Sequence, residues 1–512
     1  MKHQTVTRLP LICISIILFT SAPMFTLRSL GEDGRETLST ESPNVILLLA
    51  DDMGMNGPAV YGSDLHETPN IDRLAAEGVR FTNGYAACTV CSPTRAAAMT
   101  GMYPARTRVT NWITGTKMPY AQLSPPDWTL QLEHHHTTIA EALKAAGYQT
   151  AHVGKWHLGD EPFYPEHQGF DVNIGGNSQG SPSGGYHLPN KIDLPRAKEG
   201  EYLTDHLTLL ATEWITETQK TGDPFFMYFA YYNVHTPIQG RADYTEHYQK
   251  KIDARDPKGP EPIHTNAEFA AMHHSVDDSV GQILDTLDKL GIKDNTLVIF
   301  TSDNGGLSHK IDNTGVLNPT GITSNFPLRR GKGSAYEGGH RVPFIIAWPG
   351  HIPSGVVSDT PIGTVDLYPT ILDITGVAGN ADHNAKVDGA ALTSHLKDPA
   401  SPLPARDLHW HFPHYHAGVN GPYSAIRRGD WKLIERHETP DEPELYNLKD
   451  DVSEQTNLAA TNPEKTSELQ KALHDWRTSI DAQMPSPNPN HNPNSPRTNA
   501  KTKAKQTSYS KL

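Results

Sequence analysis

The stretch Asn44-Val45-Ile46-Leu47-Leu48-Leu49-Ala50-Asp51-Asp52 decides the fold of this 512-residue chain. Its apolar part is too short for a typical helix and is bounded by polar residues, which is typical of a strand buried on both faces. Strands of this kind occur in parallel sheets that helices cover on both sides. Four further apolar runs have the same character, at residues 149–153, 225–231, 296–301 and 343–347.

These runs alternate with helical segments, so the sequence predicts an α/β fold with a large, mostly parallel central sheet flanked by helices. We expect this catalytic domain to comprise residues 43–385. Residues 386–484 predict a smaller C-terminal α+β subdomain built on a short antiparallel sheet, with strands between 408 and 448 and a helix near 464–480. Residues 485–512 carry five Lys or Arg and no Asp or Glu, and their low apolar content predicts a disordered basic tail.

The N-terminus and the net charge bear on where the protein works. Residues 1–22 place Lys2 and Arg8 before a short apolar stretch and small residues, which is typical of a cleavable secretory signal. An uncleaved membrane anchor is the alternative interpretation of these residues. No later segment is long and apolar enough to predict a stable membrane span. We therefore expect an exported protein, periplasmic or secreted. The net charge of −14 argues against a nucleic-acid partner.

Polar side chains follow two of the predicted strands at the point where each strand ends. Asp51 and Asp52 end the first strand, and Asp303 with Asn304 end the strand at 296–301. The carboxyl ends of parallel strands form the edge where open α/β sheets bind ligands. Hard oxygen ligands of this kind suit Ca²⁺ or Mg²⁺ rather than zinc or copper. Each acidic pair taken alone also fits an ordinary turn, where Asp is common.

The two cysteines outside the N-terminal segment, Cys88 and Cys91, have the spacing of a redox motif or half a zinc site. A zinc site needs further ligands at the right spacing, and the chain contains no second cysteine pair. In the run Cys91-Ser92-Pro93-Thr94-Arg95, Pro93 stands where a helix can begin. An anion at Cys91 would then face free backbone N–H groups, with Arg95 close by. A buried free cysteine ahead of a helix is the alternative.

This run, followed by a small-residue helix and Thr100-Gly101, resembles the signature of the type I sulfatases. These arylsulfatase-like enzymes belong to the alkaline phosphatase superfamily, and a separate maturation enzyme oxidises their signature cysteine to formylglycine. Five more blocks resemble the family in family order, at residues 50–54, 68–75, 154–159, 301–306 and 330–333. The resemblance covers nearly everything from residue 44 to about residue 457.

The resemblance implies a ligand set and a mechanism. One Ca²⁺ would be held by Asp51, Asp52, Asp303, Asn304 and the formylglycine derived from Cys91. Arg95 and Lys155 would stabilise the hydrated aldehyde and the sulfate, and His157, His235 and Lys332 would complete the sulfate pocket. One hydroxyl of the hydrate attacks sulfur, and the second, once deprotonated, expels sulfate by regenerating the aldehyde. By resemblance His157 fits the base and His235 the acid, although the sequence leaves that assignment open.

The substrate class follows from weaker signals. Export and the aromatic, histidine-rich segments predict an exo-acting sulfatase on sulfated carbohydrates, with His187 and His414 on the substrate rim. A packed subdomain edge is the alternative explanation for these histidines. Small aryl sulfates fit the core motifs equally well, because those motifs recognise only the sulfate.

Two rival functions remain. The first is a phosphodiester or phosphonate hydrolase of the same superfamily, in which Asp-His stands where this chain has Asp303-Asn304. The amide favours calcium over a transition metal and therefore favours sulfate. The second is a silent carbohydrate-binding relative, which predicts losses at charged pocket positions. The chain retains all of those positions.

Overall fold

The computed structural model describes Met1 and residues 42–311, 317–416 and 421–494. The strands are β1 Asn44–Ala50, β2 Gly78–Phe81, β3 Gly84–Tyr85, β4 Leu123–Ser124, β5 Gln149–Gly154, β6 Val172–Ile174, β7 Phe225–Ala230, β8 Thr296–Ser302, β9 His309–Ile311, β10 Leu317–Pro319, β11 Phe344–Ala347, β12 Val356–Ser358, β13 Ile362–Gly363, β14 Asp407–Phe412, β15 Tyr423–Arg428, β16 Trp431–Arg436, β17 Glu444–Asn447 and β18 Ser486–Pro487. The helices are α1 Pro69–Ala76, α2 Cys91–Thr100, α3 Pro104–Thr107, α4 Ile139–Ala145, α5 Leu203–Thr218, α6 Ala242–Asp253, α7 Ala267–Leu290, α8 Glu337–His340, α9 Leu367–Thr375, α10 Ala381–Asn384, α11 Thr393–Lys397 and α12 Pro463–Ser479.

The central sheet has eight strands in the order β12-β2-β11-β8-β1-β7-β5-β6. Strand β1 lies between β7 and β8 and is parallel to both, with Leu47 opposite Tyr228 on one side and Ile299 on the other. The exception is β11, which runs antiparallel to β2 and β8. The predicted mostly parallel sheet is confirmed, but the run at 343–347 ends at the opposite edge from the other predicted strands.

Helices cover both faces of this sheet, as the continuous apolar character of β1 predicts. Val45, Leu47 and Leu49 belong to a core that includes side chains of α2, α4 and α9. Ile46 and Leu48 point the other way, into a second core with side chains of α1, α5 and α7. Successive side chains of a strand alternate between faces, so one strand contributes to both cores.

The C-terminal part forms an antiparallel sheet of β14, β15, β16 and β17, which confirms the predicted smaller sheet. One face packs against α12 through Leu469 and Leu473. The other face packs against the region ahead of α2 and after β10, and there Lys432 of β16 lies 2.9 Å from Glu337 and 3.1 Å from Glu454, all buried. This pairing of buried charges ties β16 to α8 and to the segment that follows β17, since an unpaired charge would be unfavourable there.

The predictions for the two ends of the chain compare differently with the structure. Residues 2–41, which contain nearly all of the predicted secretory signal, lie outside the described residues. Among the residues that are described, no helix is long and apolar enough to cross a membrane. At the other end, Ser486–Pro487 pairs with Leu123–Ser124, although the composition of residues 485–512 predicts disorder. Backbone hydrogen bonds from Asn488 and Asn492 to Gln122 and Tyr120 extend this pairing, and such bonds need no apolar side chains. The rest of the predicted tail, residues 495–512, lies outside the described residues.

Candidate active site

The candidate site lies at the carboxyl edge of the central sheet, opposite the start of α2. Asp51 follows β1, Lys155 follows β5 and Asp303 follows β8. Cys91 is the first residue of α2, two positions earlier than Pro93, and it is buried. The free N–H groups and the positive end of α2 therefore lie at the residue that the sequence singled out.

Three carboxylates and one amide meet at this edge, as predicted. The backbone N–H of Asp52 donates to Asp303 Oδ1 at 3.1 Å, and Asn304 Nδ2 donates to Asp52 Oδ1 at 2.7 Å. The other amide atom, Asn304 Oδ1, is buried and has no hydrogen-bond partner among the described residues. Burial, and then repulsion from Asp303, raise the pKa of Asp51 to about 7. The site therefore contains an amide oxygen that is available as a metal ligand, beside crowded carboxylates, and a cation would stabilise this arrangement.

Three cationic side chains neutralise these carboxylates one to one. Arg95 is fully buried, and its Nε donates to Asp303 Oδ2 at 2.9 Å. Lys155 Nζ donates to Asp51 Oδ2 at 2.6 Å. The third, Lys332 Nζ, lies 2.6 Å from Asp52 Oδ1. Burial alone would raise the pKa of Asp52, but the charge of Lys332 outweighs it and the pKa is lowered. Each carboxylate of the cluster therefore has a cationic partner within hydrogen-bond distance.

The Cys91 thiol lies inside this charged cluster. Its Sγ is 3.7 Å from Asp51 Oδ1 and 3.6 Å from Lys332 Nζ. Burial raises the pKa of Cys91 to about 12, in spite of the nearby Lys155 and Lys332. A cysteine nucleophile must be a thiolate, and this thiol stays protonated at neutral pH.

The two predicted catalytic histidines are held by backbone carbonyl groups. His157 Nε2 lies 2.6 Å from Ile113 O, which therefore accepts the Nε2 proton and leaves Nδ1, a buried atom without a partner among the described residues, to accept another. His235 Nδ1 lies 2.8 Å from Thr236 O, and its Nε2 lies 3.8 Å from Asp52 Oδ2. Burial and the charge of Lys155 hold the pKa of His157 well below its ordinary value, and burial and Lys332 lower that of His235 to about 3.

The geometry and the sequence suggest overlapping sets of metal ligands. Ligand atoms of Asp51, Asp52, Cys91 and His235 all lie within 4.8 Å of one another. The predicted set shares the first three residues and adds Asp303 and Asn304, whose side chains contact Arg95 and Asp52. Oxygen ligands from carboxylates and an amide suit calcium or magnesium, so the donor chemistry fits the predicted ion.

A cavity of about 1050 Å³ opens over this cluster. Of the predicted site residues, its lining includes Asp52, Cys91, His157, His235 and Lys332. The remaining predicted catalytic and metal residues lie behind these, fully buried: Asp51, Arg95, Lys155, Asp303 and Asn304. Of the predicted groups, the cavity therefore presents the Asp52 carboxylate, the Cys91 sulfur, two imidazoles and the Lys332 amine to a ligand, and the buried residues support them.

The two predicted rim histidines do not line this cavity. His187 is exposed and borders a separate groove with Tyr202 and Arg241. His414 is buried, with its Nε2 2.8 Å from Thr110 Oγ1. His416, two residues later in the chain, does line the cavity.

Two loops line the cavity without having been predicted to do so. The first contributes Trp112, Thr114 and Gln131, and the second contributes Phe163 and Gln179. Neither loop has a regular pattern of apolar residues from which its position could be read. The length of both, between predicted elements, was the available signal, because long loops in compact domains are often functional.

The family model described as Sulfatase matches residues 43–377. The chain belongs to the sulfatase family. A second family model, described as the C-terminal region of N-sulphoglucosamine sulphohydrolase, matches residues 331–483. This sulfatase is therefore a sulfuric ester hydrolase, as its sequence predicts.

Named relatives agree with this assignment. The sulfatase is 32% identical over 497 residues to a sulfatase of Formosa agariphila, covering 83% of this chain and 86% of that one. It is 34% identical over 375 residues to N-acetylgalactosamine-6-sulfatase of Sus scrofa, covering 70% of this chain and 66% of that one. The crystal structure of Ps i-CgsB superposes with a TM-score of 0.70 at 27% identity, covering 91% of this chain and 98% of that one.

Proposed function

We propose that this sulfatase hydrolyses sulfate esters by S–O cleavage, with formylglycine made from Cys91 as the nucleophile and one Ca²⁺ per site. The observation that carries the proposal is the position of Cys91, whose buried Sγ lies at the start of α2, 3.7 Å from Asp51 Oδ1 and 3.6 Å from Lys332 Nζ. An unmodified thiol of this kind is a poor nucleophile. A hydrated aldehyde would supply two hydroxyl groups, one to attack sulfur and one to release sulfate.

The proposed calcium ligands are Asp51, Asp52, Asp303, Asn304 and the residue derived from Cys91. The buried Asn304 Oδ1 lacks a partner among the described residues, and a hard cation is the partner that best satisfies an amide oxygen beside carboxylates. Since the three cationic side chains of the cluster are already paired with carboxylates, a divalent ion would also add positive charge that favours binding of a sulfate ester. Bound calcium would stabilise charge on the sulfuryl oxygens as the ester bond breaks.

The other side chains have distinct proposed roles. Arg95 and Lys155, fixed on Asp303 and Asp51, stabilise the nucleophile and the sulfate. His157 is the base, because its carbonyl contact leaves Nδ1 free to accept a proton.

His235 and Lys332 complete the proposed pocket. His235 is the acid toward the leaving oxygen, and the negative charge of a bound ester beside its ring favours the protonated form that this role needs. Lys332 lies at the cavity surface on Asp52, where its amine can contact the sulfuryl group.

We propose a sulfated carbohydrate, cut at an exposed end, as the substrate. The cavity has room for more than a sulfate group, since ligand sites for small molecules occupy roughly 300–1,000 Å³. Trp112 and Phe163 offer flat apolar surfaces for a sugar ring, and Gln131, Ser178 and Gln179 offer hydrogen bonds for hydroxyl groups. Several relatives are named for sulfated sugars, among them N-acetylgalactosamine-6-sulfatase. Small aryl sulfates are the alternative.

The proposal extends to the organisation and location of the protein. Residues 43–385 would be the catalytic domain and residues 386–484 the C-terminal subdomain that closes one side of the cavity through His416. The predicted signal at residues 1–22 would export the protein to the periplasm or outside the cell. A formylglycine-generating maturation enzyme would be its required partner.

Mass spectrometry of the tryptic peptide containing Cys91 tests the nucleophile. We expect the aldehyde in active protein, Cys91→Ala to abolish sulfate release, and Cys88→Ala to retain it. Both cysteines are buried, so Cys88→Ala is a matched control for Cys91→Ala. Full activity of Cys91→Ala would refute the proposal. Activity lost on chelation should return with Ca²⁺ and not with Zn²⁺.

A substrate panel tests the remaining part. It would comprise 4-nitrophenyl sulfate, 4-nitrophenyl phosphate, N-acetylgalactosamine 6-sulfate, glucosamine 2-N,6-O-disulfate and carrageenan oligosaccharides. Faster turnover of the phosphate would support the phosphoester rival. Turnover of the aryl sulfate with none of the saccharides would reject the carbohydrate proposal and leave the sulfatase assignment intact.

A further inference from the structure

One wall of the cavity is a long loop, residues 111–131, that contains little regular structure. Within it, the structure has only the two-residue strand β4, at Leu123–Ser124. Both flanks of the loop line the cavity, through Trp112, Ile113, Thr114, Thr116, Leu130 and Gln131. A loop of this length depends on contacts with neighbouring segments for its shape.

The neighbouring segment is Ser486–Asn492, which we call the C-terminal strap. Its strand β18 pairs antiparallel with β4. The backbone N–H of Asn488 donates to Gln122 O at 3.1 Å, and that of Asn492 donates to Tyr120 O at 3.1 Å. The strap therefore binds the middle of the loop, while the two flanks of the loop face the cavity.

The side chain of Asn488 adds the most specific contact. Its Nδ2 donates to Ala121 O at 2.7 Å and to Pro119 O at 3.0 Å. Its Oδ1 accepts from the backbone N–H of Asn490 at 2.9 Å. One amide thus fixes two loop carbonyls and is itself held in place by the strap.

The first flank of the loop reaches the catalytic residues. The backbone N–H of Ile113 donates to Ser92 Oγ at 3.2 Å, next to Cys91. The carbonyl of the same residue accepts from His157 Nε2 at 2.6 Å. These two contacts anchor the first flank at Ile113 without the strap, so loosening the middle of the loop would move the cavity wall and leave the support of His157 in place.

We propose that the C-terminal strap, through Asn488, positions the cavity wall and thereby gives this sulfatase its selectivity for saccharides over small aryl sulfates. The proposal rests on the proposed function, since it concerns the saccharide part of the substrate. A saccharide that fills the cavity contacts the wall, whereas a small aryl sulfate needs little beyond the sulfate pocket. Asn488 is a positioning residue and does not itself line the cavity.

The test compares Asn488→Ala with Asn490→Ala in the full chain. Asn490 is exposed and contributes to the strap through its backbone N–H, so its variant is the matched control. For Asn488→Ala we expect the KM of the best saccharide in the panel to rise about tenfold. The two hydrogen bonds that hold the loop are lost, so saccharide binding must then supply part of the free energy that orders the cavity wall. We expect kcat and KM for 4-nitrophenyl sulfate to stay within about twofold, because the sulfate pocket is untouched.

Hydrogen exchange gives a readout that does not depend on turnover. Amides of residues 119–124 should exchange faster in Asn488→Ala than in Asn490→Ala, with equal thermal unfolding midpoints. Equal exchange in the two variants would refute the proposed role of the strap. Equal changes in KM for the saccharide and for 4-nitrophenyl sulfate would refute it too. If the wild-type protein hydrolyses no saccharide, the carbohydrate function fails, while the exchange data still decide whether the strap holds the loop.

Discussion

Arg95→Ala is the substitution with the largest expected effect on stability in the active site. Arg95 is fully buried, and two of its nitrogens lie 2.9 and 2.8 Å from Asp303 Oδ2. Without it, Asp303 keeps the backbone N–H of Asp52 as a donor but loses its neutralising charge. Removing one partner of a buried pair costs roughly 3–5 kcal/mol. That is a large part of the roughly 5–15 kcal/mol by which folded proteins are stable.

The assay is equilibrium urea unfolding, followed by tryptophan fluorescence with chelator present so that no metal ion contributes. The matched control is Arg106→Ala, since Arg106 pairs with Asp388 at 2.7 Å but keeps 28% of its side chain exposed. Partly exposed pairs of this kind contribute about 1 kcal/mol or less. If Arg95→Ala lowers the free energy of unfolding no more than Arg106→Ala, the reasoning about an uncompensated buried carboxylate is wrong.

Three further predictions follow from single contacts. Asn304→Ala should weaken Ca²⁺ binding by roughly tenfold or more in titration calorimetry, because it removes an oxygen ligand; unchanged affinity would exclude Asn304 from the site. Gly180→Ala should lower kcat by about 100-fold, because a Cβ there would lie 2.6 Å from His157 Cε1. Gly363→Ala, whose Cβ meets nothing closer than 3.6 Å, should keep the wild-type rate. Burial holds the pKa of His66 well below 6.5, so the unfolded chain alone gains a proton below pH 6.5, and about 2 kcal/mol of unfolding free energy is lost between pH 7 and 5. His66→Phe should reduce that loss in urea titrations at the two pH values, and an unchanged loss would contradict it.

The fold was predictable because the sequence of β1 alone indicates that both faces of this strand are covered. The run from Val45 to Ala50 is apolar at every position, and both faces of β1 are buried in the structure. A surface strand alternates, so the absence of alternation already implied helices on both sides. The reversed direction of β11 was not predictable in the same way, because an apolar run reads alike in a parallel and in an antiparallel pair.

Residues that follow strands of the parallel core were predictable, and residues on loops were not. Asp51, Lys155 and Asp303 follow strands that the apolar pattern identifies, so the parallel topology alone brings them to one edge. His414 and His416 differ by two positions in one aromatic run, yet one is buried and the other lines the cavity. Their positions depend on how the chain turns after β14, which no periodic pattern encodes.

The strap shows where reasoning from composition stops. Residues 485–494 contain too little apolar surface to form a core, a composition that predicts disorder. That criterion measures whether a segment can bury side chains, whereas the strap is ordered by backbone pairing with β4 and by the amide of Asn488. The segment adds hydrogen bonds to a loop whose own carbonyls would otherwise need water. A polar, proline-rich segment can therefore be ordered wherever an irregular loop offers it unpaired backbone groups.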